Sequence, residues 1–492
     1  MANETQDNQA TRRGFLTSMT ALTAASYSRI LGANDRVGIG FIGFGLIGKQ
    51  HIYNFKTSFP DVDRVALCDV YKPRLEEGLA YMESPNAKGY GDFRKMYENK
   101  DIDGVVVATP DHWHAMLTIM ACAAGKDVYV EKPLTLFVDE GKWMIQAMKK
   151  YKRVVVVGTQ RNHNPTHQVA KKIIQSGLLG KIQEVRLGNG ARNLYPGFGK
   201  TPVENPPATL DYDMWLGPAP KKPYQNHRAL YHFRWFWDYS GGQLTNNHAH
   251  TISAFLLVMG VKAPTKVTSY GGRYTLEDDG ETPDVQDVIC QFPGFIMTVG
   301  VRDANAYRDL TAPVVMGNKG NLLLGSNQVV PEMHGDPVNA IPRFQGQPTG
   351  GPVYSDTKPV PWIEAQPGSG GRGGAGGGRG RGEGGRGAAR EEIGGAGEGF
   401  TTMSDEDRWF NANKRDWVSC MKSRNQPFCD LEGGHHTAVI CNLANISLHL
   451  GGRMINWDPE KEVIVGDKEA AAMCVRPYRA PWDGILRSIL KV

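Results

Sequence analysis

RVGIGFIGFGLIGK (36–49) joins an apolar strand, VGIGFI (37–42), to the start of a helix through GFGLIG (43–48). G-x-G-x-x-G by itself is weak evidence, but between a strand and a helix it has the context of a dinucleotide-binding turn. Gly43 permits the tight turn, Gly45 lets the backbone approach a pyrophosphate, and Gly48 lets the helix pack on the strand. The amide groups at the helix start, on Leu46 and Ile47, then face the phosphates with the positive end of the helix dipole. A second apolar strand, RVALCD (64–69), ends in Asp69, 26 residues after Gly43. A carboxylate there accepts both ribose hydroxyls and repels a 2′-phosphate, which favours NAD; Lys72 and Arg74 close behind leave NADP as the alternative.

Outward from this turn, GVVVATP (104–110), DVYVEK (127–132) and RVVVVGT (153–159) read as further strands. HAMLTIMACAAG (114–125) and DEGKWMIQAMKKY (139–151) read as helices between them, the first closed by a C-cap glycine. Near-continuous valine strands alternating with helices predict an α/β fold with a doubly wound parallel sheet covered on both faces. The spacing places this first domain at 34–158 and a second at 159–492.

Two segments fall outside any core. Residues 1–33 carry Arg12-Arg13 before Gly-Phe-Leu, then a mild apolar stretch from Ser18 to Tyr27 and small residues at Ala24, Ala25 and Ser26. This resembles a Tat export signal and predicts a periplasmic protein. Residues 366–399 are dominated by glycine, with five Arg, four Glu and no aromatic. Lacking rings to stack on bases, the tract is read as a flexible surface insert in the second domain, not a nucleic-acid module.

The rest of the 492 residues suffices for two domains with good cores. A net charge of +5 makes no case for nucleic acid or an acidic membrane as partner. No apolar run reaches the roughly 18 residues needed to span a bilayer. The seven cysteines show no C-x-x-C, so neither a disulfide scaffold nor a zinc site is expected.

At VEKP (130–133), after TPDH (109–112), the sequence resembles the glucose–fructose oxidoreductase and inositol dehydrogenase (Gfo/Idh/MocA) family. The resemblance extends to WLGP (215–218), RWFWDYSGGQ (234–243) and RAPW (479–482), nearly the whole chain after the signal, and looks closest to the exported branch. It implies a C-terminal α/β domain with an open, largely antiparallel sheet that often builds a homo-oligomer interface, here a dimer or tetramer. It also implies a sugar or polyol bound between the domains against the nicotinamide. Lys132 would reach nicotinamide and substrate hydroxyl, with Pro133 fixing its turn. Thr109, Pro110, His112 and Glu131 would border the cofactor. A lysine at the carboxyl edge of a doubly wound sheet independently faces the ligand crevice.

The family's second motif reads G-G-x-L-x-D-x-G-x-H-x-x-D, where this chain has GGQLTNNHAHTIS (241–253). His250 matches the family's catalytic histidine, while Asn246 replaces an Asp, His248 a glycine and Ser253 the last Asp. An amide takes no proton at neutral pH, so His250 is left as the base, and Asn246 can still orient a hydroxyl. On a strand, His248 and His250 would share a face and suggest a metal. No Asp, Glu or Cys stands at ligand spacing, so no metal site is assigned. One of His112 and His114 is read as a packing or capping residue, and His435 and His436 as helix-end residues. Aromatics crowd 195–239 and are read mainly as core. Arg161, Tyr195, Arg234 and Asn246 are the candidate substrate contacts.

The export signal and the cofactor cradle belong together if the protein folds around its cofactor before leaving the cytoplasm. The cofactor must then be tightly held and regenerated in place. This predicts a hydride-transferring oxidoreductase acting on a sugar or polyol. An NAD-dependent glycosidase working by transient oxidation is the alternative, and a non-catalytic sugar-binding member of the fold the second.

Overall fold

The computed structural model describes residues 36–190, 195–304, 313–331, 360–361 and 405–491. The expected signal at 1–33 and the glycine tract at 366–399 lie outside the described residues.

The first sheet contains β1 (Val37–Ile42), β2 (Val62–Cys68), β3 (Lys88–Tyr90), β4 (Gly104–Val107), β5 (Asp127–Val130) and β6 (Val155–Val157). All pairs are parallel, in the order β3-β2-β1-β4-β5-β6. The chain changes direction across the sheet between β1 and β4, which opens a crevice beyond their carboxyl ends. Every residue of β1, β4, β5 and β6 is buried. The valine runs therefore reflect a sheet covered on both sides.

One cover comes from helices His114–Ala123 and Val138–Tyr151, the other from helix Leu46–Ser58. Helices from the far end of the chain complete both. Trp417, Val418 and Met421 of Asp405–Ser423 join the core beneath β1, and Leu486, Ile489 and Leu490 of Trp482–Leu490 join the opposite one. A boundary at 158/159 thus marks the end of the first sheet's strands but not of its packing.

The second sheet contains β7 (Ile182–Gly190), β8 (Lys266–Gly272), β9 (Val285–Phe292), β10 (Phe295–Arg302), β11 (Val314–Gly317), β12 (Gly320–Leu323), β13 (Gln328–Pro331), β14 (Val360–Pro361), β15 (Ile455–Asp458) and β16 (Val463–Ile464). Their order is β14-β13-β12-β11-β7-β10-β9-β8-β15-β16, antiparallel except for β7 with β10. Alternation along β9 turns Val288, Cys290 and Phe292 inward and Ile289 and Gln291 outward. The inner face packs against helices His248–Met259 and Leu431–His449. The other face leaves Tyr270, Ile289 and Ile296 exposed.

One local expectation is corrected. HAH (248–250) opens a helix, not a strand, because Ile252, Phe255 and Leu256 supply an apolar stripe at helical spacing. The two imidazoles therefore do not share a face.

Candidate active site

Gly43, Gly45, Leu46, Ile47 and Asp69 form one wall of a cleft of about 890 Å³, open mouth included. Gly43 has φ +93°, and a side chain there would also meet the Ala108 carbonyl oxygen at 2.7 Å. A side chain on Gly48 would meet the Gly43 carbonyl oxygen at 2.1 Å, so Gly48 sets the helix-to-turn contact and does not line the cleft. A Cβ on Gly45 would point into open space with no atom within 4 Å. The helix that follows has no side-chain cap and no acidic residue in its first turn. This open, uncapped helix start fits a pyrophosphate.

At the ribose end, the Asp69 carboxylate accepts the backbone N–H of Phe44 and of Tyr71, each at 2.8 Å. Burial nonetheless pushes Asp69 above the usual carboxylate range. Arg74 lines the same end. Deeper in, Thr109 and Pro110 reach the cleft, and the Thr109 hydroxyl is buried with no protein partner. An orphaned hydroxyl beside an uncapped helix start is where a dinucleotide would satisfy both. The opposite wall comes from the second domain: Leu230, Tyr231, Phe233 and Arg234. Sequence reading did not identify Leu230, Tyr231 or Phe233 as cleft residues; the crowding of aromatics over 195–239 was the available signal.

Lys132 follows β5 and precedes a cis proline, Pro133. Its Nζ donates to the Asn246 main-chain oxygen at 2.9 Å and to Asn246 Oδ1 at 3.4 Å, crossing from the first domain to the second. Burial lowers its proton affinity most, the Glu131 and Asp111 charges raise it, and Arg234 and Arg161 lower it further. Lys132, Asn246, His250 and Arg161 do not line the cleft; Lys132 borders a small cavity with Pro133, Thr245 and Ala249, and Arg234, which does line the cleft, lowers its proton affinity.

His250 is buried on the first turn of its helix, and its Nδ1 has no hydrogen-bond partner. Burial, then the charges of Lys132 and Arg161, push it well below its ordinary value, so it is a neutral imidazole. His248, by contrast, donates from Nε2 to the Gly300 carbonyl at 2.7 Å and is pushed down to about 4 by burial. It is tied to β10. Arg161 lies in the turn Gln160–His163, which Asn162 fastens to Ser253 Oγ at 2.8 Å. Ser253, which stands where the family motif has Asp, thereby anchors this turn.

Glu131, His112 and Tyr195 also lie off the lining of this cleft. Glu131 is buried, accepting from His51 Nε2 at 2.9 Å and from the Lys132 N–H at 3.2 Å, so it holds Lys132 and does not line the cleft. His51 itself is pushed down to about 4 by burial. His112 is fully buried, with Nε2 on the Trp215 carbonyl at 2.9 Å, and packs among Trp113, Trp215 and Tyr239. Tyr195 is 66% exposed and does not line this cleft. Of the 195–239 aromatics, Trp215, Tyr224, Phe233, Trp235, Phe236 and Tyr239 are buried. Among the described residues, no three His, Cys, Asp or Glu side chains are placed to hold a metal ion.

The inositol 2-dehydrogenase of Salmonella typhimurium is 31% identical over 143 residues, 29% of this chain and 42% of that protein. A glycosyl hydrolase family 109 protein of Shewanella pealeana is 28% identical over 155 residues, 30% of this chain and 34% of that protein. The chain thus spans less than half the length of these curated relatives. The WlbA dehydrogenase of Bordetella pertussis, solved with NADH and UDP-GlcNAcA, is 17% identical with a TM-score of 0.57, covering 86% of this chain and 99% of its own. That likeness shows a shared fold. The Gfo/Idh/MocA description "oxidoreductase family, NAD-binding Rossmann fold" matches residues 37–159, and the family's C-terminal alpha/beta domain matches 163–349 and 401–484. With a glycine cradle in the first region and a cross-domain Lys132–Asn246 contact joining it to the second, the chain belongs to the Gfo/Idh/MocA oxidoreductase family.

Proposed function

We propose that this protein moves hydride between a secondary alcohol of a sugar, polyol or sugar derivative and a tightly held NAD. The observation that carries the reading is the bond from Lys132 of the first domain to Asn246 of the second, four residues before a buried His250 whose proton affinity the lysine's charge lowers. NAD supplies the hydride acceptor. Lys132 stabilises the oxygen of the reacting alcohol as negative charge develops. His250, unprotonated at neutral pH, has a free ring nitrogen to take the hydroxyl proton. Asn246, whose main-chain oxygen and Oδ1 receive Lys132 and whose Nδ2 donates to Gln243, keeps a second amide proton for a neighbouring hydroxyl. Arg234, over the rings of Phe233 and Tyr231, walls the substrate side.

The partial similarity to the Shewanella glycosyl hydrolase supports a second reading, in which transient oxidation acidifies a neighbouring C–H and releases a leaving group. The experiment is mass spectrometry of the small molecule released on denaturing the purified protein, then a screen of free sugars and glycosides. Bound NAD(H) that reacts with free sugars carries the first reading. Glycoside cleavage without net cofactor reduction carries the second, and cofactor-free protein with millimolar NAD affinity overturns both.

Two further readings belong to the proposal. The Arg12-Arg13 segment would send the folded, cofactor-loaded protein through the Tat route to the periplasm; replacing both arginines with lysine should leave it in the cytoplasm. The exposed sheet face bearing Tyr270, Ile289 and Ile296 would pair copies of the chain into a dimer or tetramer. Light scattering of the purified protein measures this.

A further inference from the structure

The family motif has an aspartate where this chain has Asn246, and the two side chains differ in symmetry. A carboxylate offers a lysine two like oxygens. An amide has one oxygen and one NH2 group, and an ammonium only donates, so Asn246 can serve Lys132 with its oxygen alone. Turned end for end, the amide would set N–H groups against the ammonium.

The structure holds the serving orientation. Asn246 Oδ1 lies 3.4 Å from Lys132 Nζ, beside the main-chain bond at 2.9 Å. The other end of the amide, Nδ2, donates to Gln243 Oε1 at 3.2 Å. Gln243 and Asn246 stand three residues apart on the helix Gly242–Asn246, a spacing that brings side chains together on one face. Gln243 is 2% exposed, and its Nε2 is buried with no partner among the described residues. Its oxygen is therefore the end in use.

The segment that carries this pair is held by other means. Asn445 Nδ2 donates to the Gly241 carbonyl at 3.1 Å, the Thr245 hydroxyl to the Gly242 carbonyl at 3.1 Å, and Leu244 is buried in the second domain's core. The Gln243–Asn246 bond is thus left to orient one amide.

We propose that Gln243 is a positioning residue that keeps the oxygen of the Asn246 amide on the Lys132 ammonium, a task that a symmetrical carboxylate at 246 would not require. The proposal rests on the reading of Lys132 as the group that meets the substrate hydroxyl, but its test needs no substrate.

The full-length protein, with cofactor as purified, is labelled with trace acetic anhydride across pH, and acetylation of the partly exposed Lys132 is followed by peptide mass spectrometry. Gln243→Met keeps the side chain's length and removes the acceptor. The freed amide no longer keeps its oxygen on the ammonium, so the labelling midpoint of Lys132 should fall by about one unit, the tenfold effect of one such bond. Gln243→Glu retains an oxygen for Asn246 Nδ2 and should not lower the midpoint. The deciding arm is Asn246→Asp. With two like oxygens at 246, adding Gln243→Met should leave the midpoint within about 0.3 unit of Asn246→Asp alone. The other charges facing Lys132, on Glu131, Asp111, Arg161 and Arg234, are common to all these variants.

A midpoint unmoved by Gln243→Met overturns the proposal. So does an equal fall with Asn and with Asp at 246, which is what general loosening of the segment would produce, and so does a fall in Gln243→Glu. If Gln243→Met does not fold, Gln243→Leu is read by the same criteria. A midpoint that falls only with Asn at 246, in a protein oxidising no alcohol, sustains the positioning role and rejects the redox reading. Turnover with an unmoved midpoint does the reverse.

Discussion

The ammonium of Lys132 lies 2.9 Å from the main-chain oxygen of Asn246, so the turn after one domain's strand β5 is fastened to the helix preceding His250 in the other. A main-chain acceptor survives any change of side chain at 246, whereas the lysine does not survive its own. Lys132→Met should therefore leave the Asn246 carbonyl without its donor and remove the charge facing the substrate oxygen. Turnover should fall roughly 10²–10³-fold, the usual cost of one charge-stabilising donor, while bound NAD is retained. Turnover and cofactor content of the same preparation check this together.

Asp69 should set cofactor choice. Its carboxylate already organises the turn through Phe44 and Tyr71, and Arg74 stands at the same end of the cleft. Asp69→Ala removes the charge that opposes a 2′-phosphate and leaves the arginine. Relative affinity should shift toward NADP, read by titrating both nucleotides into protein refolded without cofactor. An unchanged ratio places the ribose contact elsewhere.

Stability should fall on the acid side. His51 and His248 are pushed down to about 4 and His112 to about 3, all by burial. In the unfolded chain histidine titrates near 6.5, so below that pH the unfolded state binds more protons and unfolding is favoured. The loss begins as pH drops through about 6.5 and continues to about 4 for His51 and His248 and to about 3 for His112, at about 1.4 kcal/mol per pH unit for each histidine. Above that window these groups add no pH dependence. His248→Gln, which can still donate to Gly300, should flatten the slope of Tm against pH by one histidine's share.

The cradle was legible because its chemistry is local. A glycine at positive φ, a glycine facing open space and a strand-end acid all declare themselves within a short stretch around Gly43 and Asp69. The second domain was legible as a class only through resemblance, since pairing β7 with β10 joins residues over a hundred apart that no local period encodes. His248 and His250 were set on a strand because a short H-A-H repeat carries no period of its own; the apolar stripe after it decides for helix. Glu131 and His112 looked like cofactor contacts from their motifs. They also bond His51 and the Trp215 carbonyl, partners from distant segments that the motifs do not show.

The central claim is that His250 is the proton acceptor, and it is tested by the pH dependence of turnover in the native protein and in His250→Ala. Burial and the charges of Lys132 and Arg161 hold His250 well below its ordinary value, so the acid limb of native activity should lie below pH 6.5. His250→Ala should lose that limb and slow turnover by roughly 10²–10⁴-fold while its NAD stays bound. Near-normal turnover in His250→Ala, with the same acid limb, would contradict the account and assign the proton to another group.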